Sequence, residues 1–220
     1  MKYKGIILVI ASPKPYYNNC KIIMEKFMNS HPNFKTFFIY GKVNEKKIIP
    51  SKNNLFFNCQ ESLRPGILMK SILSFEHILK NYDFEYVIRT NISTFWNLNK
   101  LNKLLNKLPN KNCVAGQIVK KIFVTGTGII LSKDLVQYIC NNKHKIRINR
   151  CDDVELSQFF SRHLGLPFIL DKRCECFEEK FPINKKKVPK NFTNYRLKTK
   201  KNRYLDALKM FKLYKMFYKK

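Results

Sequence analysis

Two short polar segments hold side chains suited to chemistry. Arg89-Thr90-Asn91-Ile92-Ser93 follows directly on the apolar triplet Tyr86-Val87-Ile88, and Cys151-Asp152-Asp153-Val154-Glu155 stands where a helix is expected to begin. The first sits where an open α/β sheet binds its ligand, beyond the carboxyl end of a buried strand. The second offers adjacent carboxylates at a helix start, where the dipole favours the anion and an anion can accept a proton; helix capping is the plainer role for the same pair. The seven cysteines include no C-x₂-C pair, and Cys174-Glu175-Cys176 is spaced too closely for a zinc knuckle. They read as reduced core thiols of a reducing compartment.

The elements that must position these segments follow from periodicity. Ile6 to Ile10 is a continuous apolar run, read as a first strand buried on both faces. Ser12-Pro13-Lys14-Pro15 breaks it, and Asn18 or Asn19 is expected to cap a helix running to Met28. Strands are predicted over 34–40 and 55–57, and a helix over 66–79, where apolar positions 67, 68, 72, 75, 78 and 79 form one stripe. A second amphipathic helix is predicted over 98–108. Strands at 113–115, 123–124 and 129–131 follow, then a helix over 134–139 capped by Ser132. The last core helix is expected to be capped by Asp152 or Asp153, to run to about His163 and to stop at Gly165. Alternating strands and helices imply an α/β layer fold with a mostly parallel sheet.

Composition sets the partners. Lys and Arg number 43 against 15 Asp and Glu, a formal net charge of +28, while hydrophobic residues make up 45% of the chain. That apolar content excludes global disorder. No apolar run reaches the ~18 residues of a membrane span, and the N-terminal run is too short for a signal peptide, so a cytoplasmic location is expected. The sequons at Asn91 and Asn191 are then chance matches. The excess charge points to a polyanion: a phosphate-bearing small molecule, an acidic membrane or nucleic acid. Lys far outnumbers Arg, a bias that an AT-rich coding sequence also produces. The segment 184–220 carries twelve Lys and two Arg against the single acid Asp206. Its stretch 203–220 reads either as a surface helix docked on the core or as a basic amphipathic helix on an anionic membrane, with Lys209, Lys212 and Lys219 off the apolar side. Nucleic acid is disfavoured, because no helix-turn-helix, RRM or zinc-finger signature accompanies the charge.

Four blocks in order, over about 55–170, resemble the β-1,3-galactosyltransferase and fringe-like glycosyltransferases. They are Glu61-Ser62-Leu63-Arg64-Pro65-Gly66 with Lys70; Asp83 to Phe95; Gly126-Thr127-Gly128 running to Leu135; and Asp152-Asp153-Val154 running to Leu166. The resemblance implies a GT-A fold: a single domain over 1–183, with a nucleotide-binding half (about 1–95) and an acceptor half (about 96–183), followed by the basic tail 184–220. It implies a nucleotide-sugar donor, with UDP the expected nucleotide, an acceptor hydroxyl on a glycan, glycolipid or protein, and one inverting displacement. Asp153 aligns with the family's base and Asp152 is the alternative. Ser12, Lys70, Arg89, Asn91, Ser93 and Arg196 are the candidates for binding the donor nucleotide and diphosphate. Trp96, Gly126 and Gly128 are the candidates on the acceptor and sugar side, with Phe95 a further stacking candidate.

The family's Asp-x-Asp metal motif is altered here to Asn91-Ile92-Ser93. Hard cations such as Mn²⁺ or Mg²⁺ require oxygen ligands, and Asn91 and Ser93 supply neutral ones. Either a weakly held ion remains, oriented by Asn91, or cationic side chains replace it in stabilising the leaving group. Arg89, Lys70, Arg196 and Lys198 are the cations considered for that role. Two alternatives stay open beside the transferase: a catalytically inactive GT-A-fold protein, and a nucleic-acid binder using its basic surface.

Overall fold

The computed structural model describes residues 1–176 and 188–219. The expected boundary at 183/184 lies outside the described residues. The N-terminal half alternates strand and helix: β1 (Lys2–Ile10), α1 (Pro15–Glu25), β2 (Phe34–Lys42), β3 (Asn54–Gln60), α2 (Gly66–Asn81) and β4 (Asp83–Asn91). A short β5 (Thr94–Trp96) and α3 (Leu98–Leu105) follow. Next come β6 (Val114–Gly116), the hairpin β7 (Ile118–Val119) and β8 (Phe123–Val124), β9 (Gly128–Ser132) and α4 (Lys133–Asn141). The chain continues through α5 (Asp152–Leu164), β10 (Ile169–Leu170), β11 (Cys174–Glu175), β12 (Asn194–Arg196) and α6 (Tyr204–Phe217).

The described residues form a seven-stranded sheet in the order β10-β6-β9-β4-β1-β2-β3. β1 pairs in parallel with both β2 and β4, while β9 runs antiparallel to β4 and to β6. The architecture is therefore the expected mixed α/β form, mostly parallel and flanked by helices. Ile6, Ile7, Leu8 and Val9 on β1 are all wholly buried, because each face of the sheet carries a layer. Ile7 and Val9 face the cluster with Phe27, Trp96 and Met210, and Ile6 and Leu8 face the cluster with Ile72, Val136 and Phe159.

Two features of this topology position the site. Strands β1 and β4 lie side by side while their crossovers depart in opposite directions, so a crevice opens beyond their carboxyl ends. The reversed β9 then brings its first residues to that same edge, with Gly128 opposite Thr90.

Several local expectations need correction. The first helix starts at Pro15 with Lys14 at the N-cap, because proline is pre-organised for the first helical position. Asn18 instead lies inside the helix and donates to the Lys47 carbonyl. The Ser132 hydroxyl accepts from the Cys113 N–H at 3.0 Å and does not cap α4. Cys151 occupies the N-cap position of α5, and Gly165 ends that helix in the left-handed region at φ 64°.

The C-terminal segment is built into the body. β12 pairs antiparallel with β5, and α6 packs on α1, burying Ala207, Met210 and Leu213. Lys209, expected on the outer side, is buried and donates to the Cys176 carbonyl and the Thr199 hydroxyl. Of the residues expected on its apolar side, Leu213 is buried and Phe211, Tyr214 and Phe217 pack on the core, while Leu208 is exposed. Among the described residues no helix is long and apolar enough to cross a membrane. The cysteines are free thiols, and burial pushes Cys20, Cys113 and Cys140 up to about 12, which makes them poor nucleophiles.

Candidate active site

A cavity of about 470 Å³ opens at the carboxyl edge of the sheet. The end of β1 contributes Ile10, Ala11 and Ser12, and the end of β4 contributes Asn91, with Ile92 and Ser93 following. Ile10 and Asn91 are direct partners across the two parallel strands, so the crevice begins where those strands part. Gly126 and the start of α5, with Asp152 and Asp153, also line it, as do Arg196 and Lys198. Seven of the donor-site and catalytic candidates, Ser12, Arg89, Asn91, Ser93, Asp152, Asp153 and Arg196, therefore meet in one space with Gly126.

Arg89 organises this corner. It is 1% exposed. Its Nη1 donates to Asn91 Oδ1 at 3.0 Å and to the Gly126 carbonyl, and its Nη2 pairs with Asp152 Oδ2. Three oxygens from β4, the approach to β9 and α5 thus converge on one guanidinium. Gly126 is required for that approach, since a Cβ there would stand 2.5 Å from Arg89 Nη1. Burial pushes the Asp152 carboxyl above the usual carboxylate range, and the Arg89 guanidinium pulls against it. Asp152 is consequently engaged as the counter-ion of Arg89.

Asp153 is held differently. Its Oδ2 accepts from the Gly126 N–H at 3.0 Å and its Oδ1 from the Val154 N–H at 2.9 Å. Two backbone donors fix the carboxylate's orientation, and each oxygen keeps a lone pair for another proton.

Four candidates, Lys70, Trp96, Phe95 and Gly128, belong to the interior instead. Lys70 is wholly buried, bonded to Glu61 at 2.6 Å and to the Ala11 carbonyl at 2.9 Å. Glu61 in turn accepts from the Gly41 N–H at 2.7 Å. Lys70 therefore ties α2 to the ends of β1 and β2 and does not line the cavity. Trp96 is wholly buried, with its indole N–H on the Thr90 hydroxyl at 3.0 Å, so it has no face open to a sugar; Phe95 is equally buried. Gly128 serves that packing, because a Cβ there would lie 2.6 Å from the Trp96 ring. A helical stripe or an aromatic beside a motif gives no sign of whether its side chain turns inward.

The cavity also holds residues that sequence reasoning missed as site residues. Lys14, Tyr17 and Cys151 line it, as does Arg203 just before α6. Lys14 had a usable signal, since it lies in the loop directly after β1. Arg203 had none, because only tertiary packing brings the C-terminal helix to the end of the first strand.

The altered metal motif can be tested on its donors. Asn91 Oδ1 already faces the Arg89 guanidinium, and Ser93 stands where a carboxylate would supply charge. Among the described residues no group of three His, Cys, Asp or Glu side chains is placed to hold an ion. A hard divalent cation would have to share its oxygen with a fixed positive charge, so this corner does not fit Mn²⁺ or Mg²⁺.

Fold and cavity together place the chain among proteins with a glycosyltransferase fold of the GT-A type. Its structure resembles that of a glycosyltransferase involved in the glycosylation of the major capsid of PBCV-1, with a TM-score of 0.56 at 12% identity, covering 94% of this chain and 98% of that one. Weaker likenesses exist to GlyE of Streptococcus pneumoniae (TM-score 0.45, 10% identity, 78% of this chain and 46% of that one) and to an active-site mutant of LgtC (TM-score 0.46, 10% identity, 87% and 86%). No protein-family model matches the sequence, and no curated protein matches it. Identity this low establishes the shared fold and leaves the substrate to be argued from the site.

Proposed function

We propose that the protein is a glycosyltransferase that moves a sugar from a nucleoside diphosphate donor, a UDP-sugar, to an acceptor hydroxyl with inversion at the anomeric carbon. The observation that carries this reading is that the asparagine corner of β4 and Asp153 share one cavity at the carboxyl edge of a GT-A-like sheet. Its volume of about 470 Å³ falls in the usual range for small-molecule sites. Of the four blocks that resemble the β-1,3-galactosyltransferase and fringe-like family, Asn91, Gly126 and Asp153 meet in the cavity, whereas Lys70, Trp96 and Gly128 serve packing.

In the proposed reaction Ser12 meets the nucleoside at the end of β1, and the diphosphate lies toward Arg196 and Lys198. Asp153 takes the proton of the acceptor hydroxyl as its oxygen attacks the anomeric carbon. The bond from that carbon to the diphosphate oxygen breaks, and the electron pair leaves with the nucleoside diphosphate. The two backbone N–H groups on Asp153 hold it in place for this transfer. The acceptor is a glycan, glycolipid or protein hydroxyl.

The test is UDP release from a panel of UDP-sugars, with and without simple sugar acceptors. The wild-type chain is expected to release UDP from at least one donor, and Asp153→Asn to lose about 10²–10⁴-fold in kcat while still unfolding cooperatively, with some loss of stability because its NH₂ must face one of the two backbone N–H groups. Turnover unchanged in Asp153→Asn would remove Asp153 as base, and no release from any donor would overturn the transferase.

A further inference from the structure

We propose that the cavity holds the donor's diphosphate by guanidinium and ammonium groups without a divalent ion, the asparagine corner being already filled by Arg89 with its counter-ion Asp152. This rests on the transferase reading and concerns how the same site meets its leaving group.

The corner between Asn91, Gly126 and Asp152 already contains a positive charge. Arg89 Nη1 and Nη2 take an amide oxygen, a carbonyl and a carboxylate, the kinds of oxygen a hard metal would use. Asparagine in place of aspartate suits this arrangement: it supplies one oxygen to the guanidinium at 3.0 Å and adds no second carboxylate beside Asp152.

The rest of the lining is rich in cations. Lys14, Arg196, Lys198 and Arg203 all reach the cavity. Of the three acids there, Glu61 is paired with Lys70, Asp152 with Arg89, and Asp153 accepts from the Gly126 and Val154 N–H groups, while Arg203 is paired with Asp206 at 2.7 Å. Burial, together with the nearby Arg173 and Arg203 charges, holds Arg196 below its ordinary value, as expected of cations crowded where an anion would relieve them. A diphosphate leaving group develops charge on its bridging oxygen, and fixed cations in a partly desolvated cavity can stabilise it as a metal would.

Calorimetry on the full chain tests this, with UDP and inorganic pyrophosphate as probes, in excess EDTA and then in millimolar Mn²⁺. UDP is expected to bind in EDTA with a Kd within about threefold of that in Mn²⁺, with pyrophosphate competing for the same site. Arg196→Ala with Lys198→Ala is expected to weaken UDP at least about tenfold, since charge-assisted bonds to phosphate are the strong ones. Lys107→Ala with Lys111→Ala, on an exposed surface away from the cavity, should leave it unchanged. If the first pair of substitutions prevents folding, Lys14→Ala and the wild-type comparison in EDTA still decide. UDP binding that requires Mn²⁺ would overturn the proposal and leave the transferase standing. Equal weakening in the surface control would also overturn it, as mere charge attraction. No binding of UDP under either condition would overturn both readings.

Discussion

Removing the Asp152 carboxylate should cost far more stability than its place on a cavity rim suggests. Arg89 is 1% exposed and the Asp152 side chain 10%, so the pair is screened little by water. Breaking a buried pair from one side typically costs about 3–5 kcal/mol, because the remaining charge stays buried and uncompensated. In Asp152→Ala the guanidinium keeps the Asn91 oxygen and the Gly126 carbonyl, which sets the expectation at the lower end, near 3 kcal/mol. For a chain of this length that lowers the melting temperature by about 6–12 °C. The double variant Arg89→Met, Asp152→Ala removes both charges but takes the Arg89 donor from the Asn91 oxygen and the Gly126 carbonyl, so it should regain only part of the loss. Thermal and urea unfolding followed by circular dichroism measure all three. A single variant melting within about 2 °C of the parent, or a double variant less stable than the single one, would refute this account of the corner.

Two further outcomes follow from packing. Gly128→Ala sets a methyl 2.6 Å from the Trp96 ring inside a filled core and should destabilise by about 1–3 kcal/mol in urea unfolding, whatever its effect on turnover. Deleting 204–220 removes the helix that covers α1 and the Tyr218 hydroxyl that bridges the Leu98 N–H and the Trp96 carbonyl; the truncated chain should lose cooperative unfolding, while a detachable membrane anchor would leave it intact.

Most of the sheet was legible because its signals are local. The run Ile6–Ile10 can be satisfied only between two layers, and the stripe over 66–79 matches α2 to within two residues. Helix starts were read less well, because Asn, Ser and Asp near a boundary compete for the cap and the neighbouring fold decides which side chain is free. Ser132 is the example, its hydroxyl being taken by the Cys113 N–H, 19 residues earlier in the chain.

The sequence by itself determined that this is a layered α/β chain with Asn91 at one strand end and Asp153 at one helix start, since apolar periodicity and residue type are properties of short segments. It also determined the large positive charge. Only the tertiary structure decided how that charge is used: Lys70 is turned inward onto Glu61, Arg89 is spent on a corner assembled with Gly126, 37 residues later, and Lys14, Arg196 and Arg203 are gathered around one cavity. The reason is that burial and pairing depend on which distant segments come into contact, and a Lys or Arg carries the same covalent signal in a salt bridge, on a wet surface or beside a phosphate.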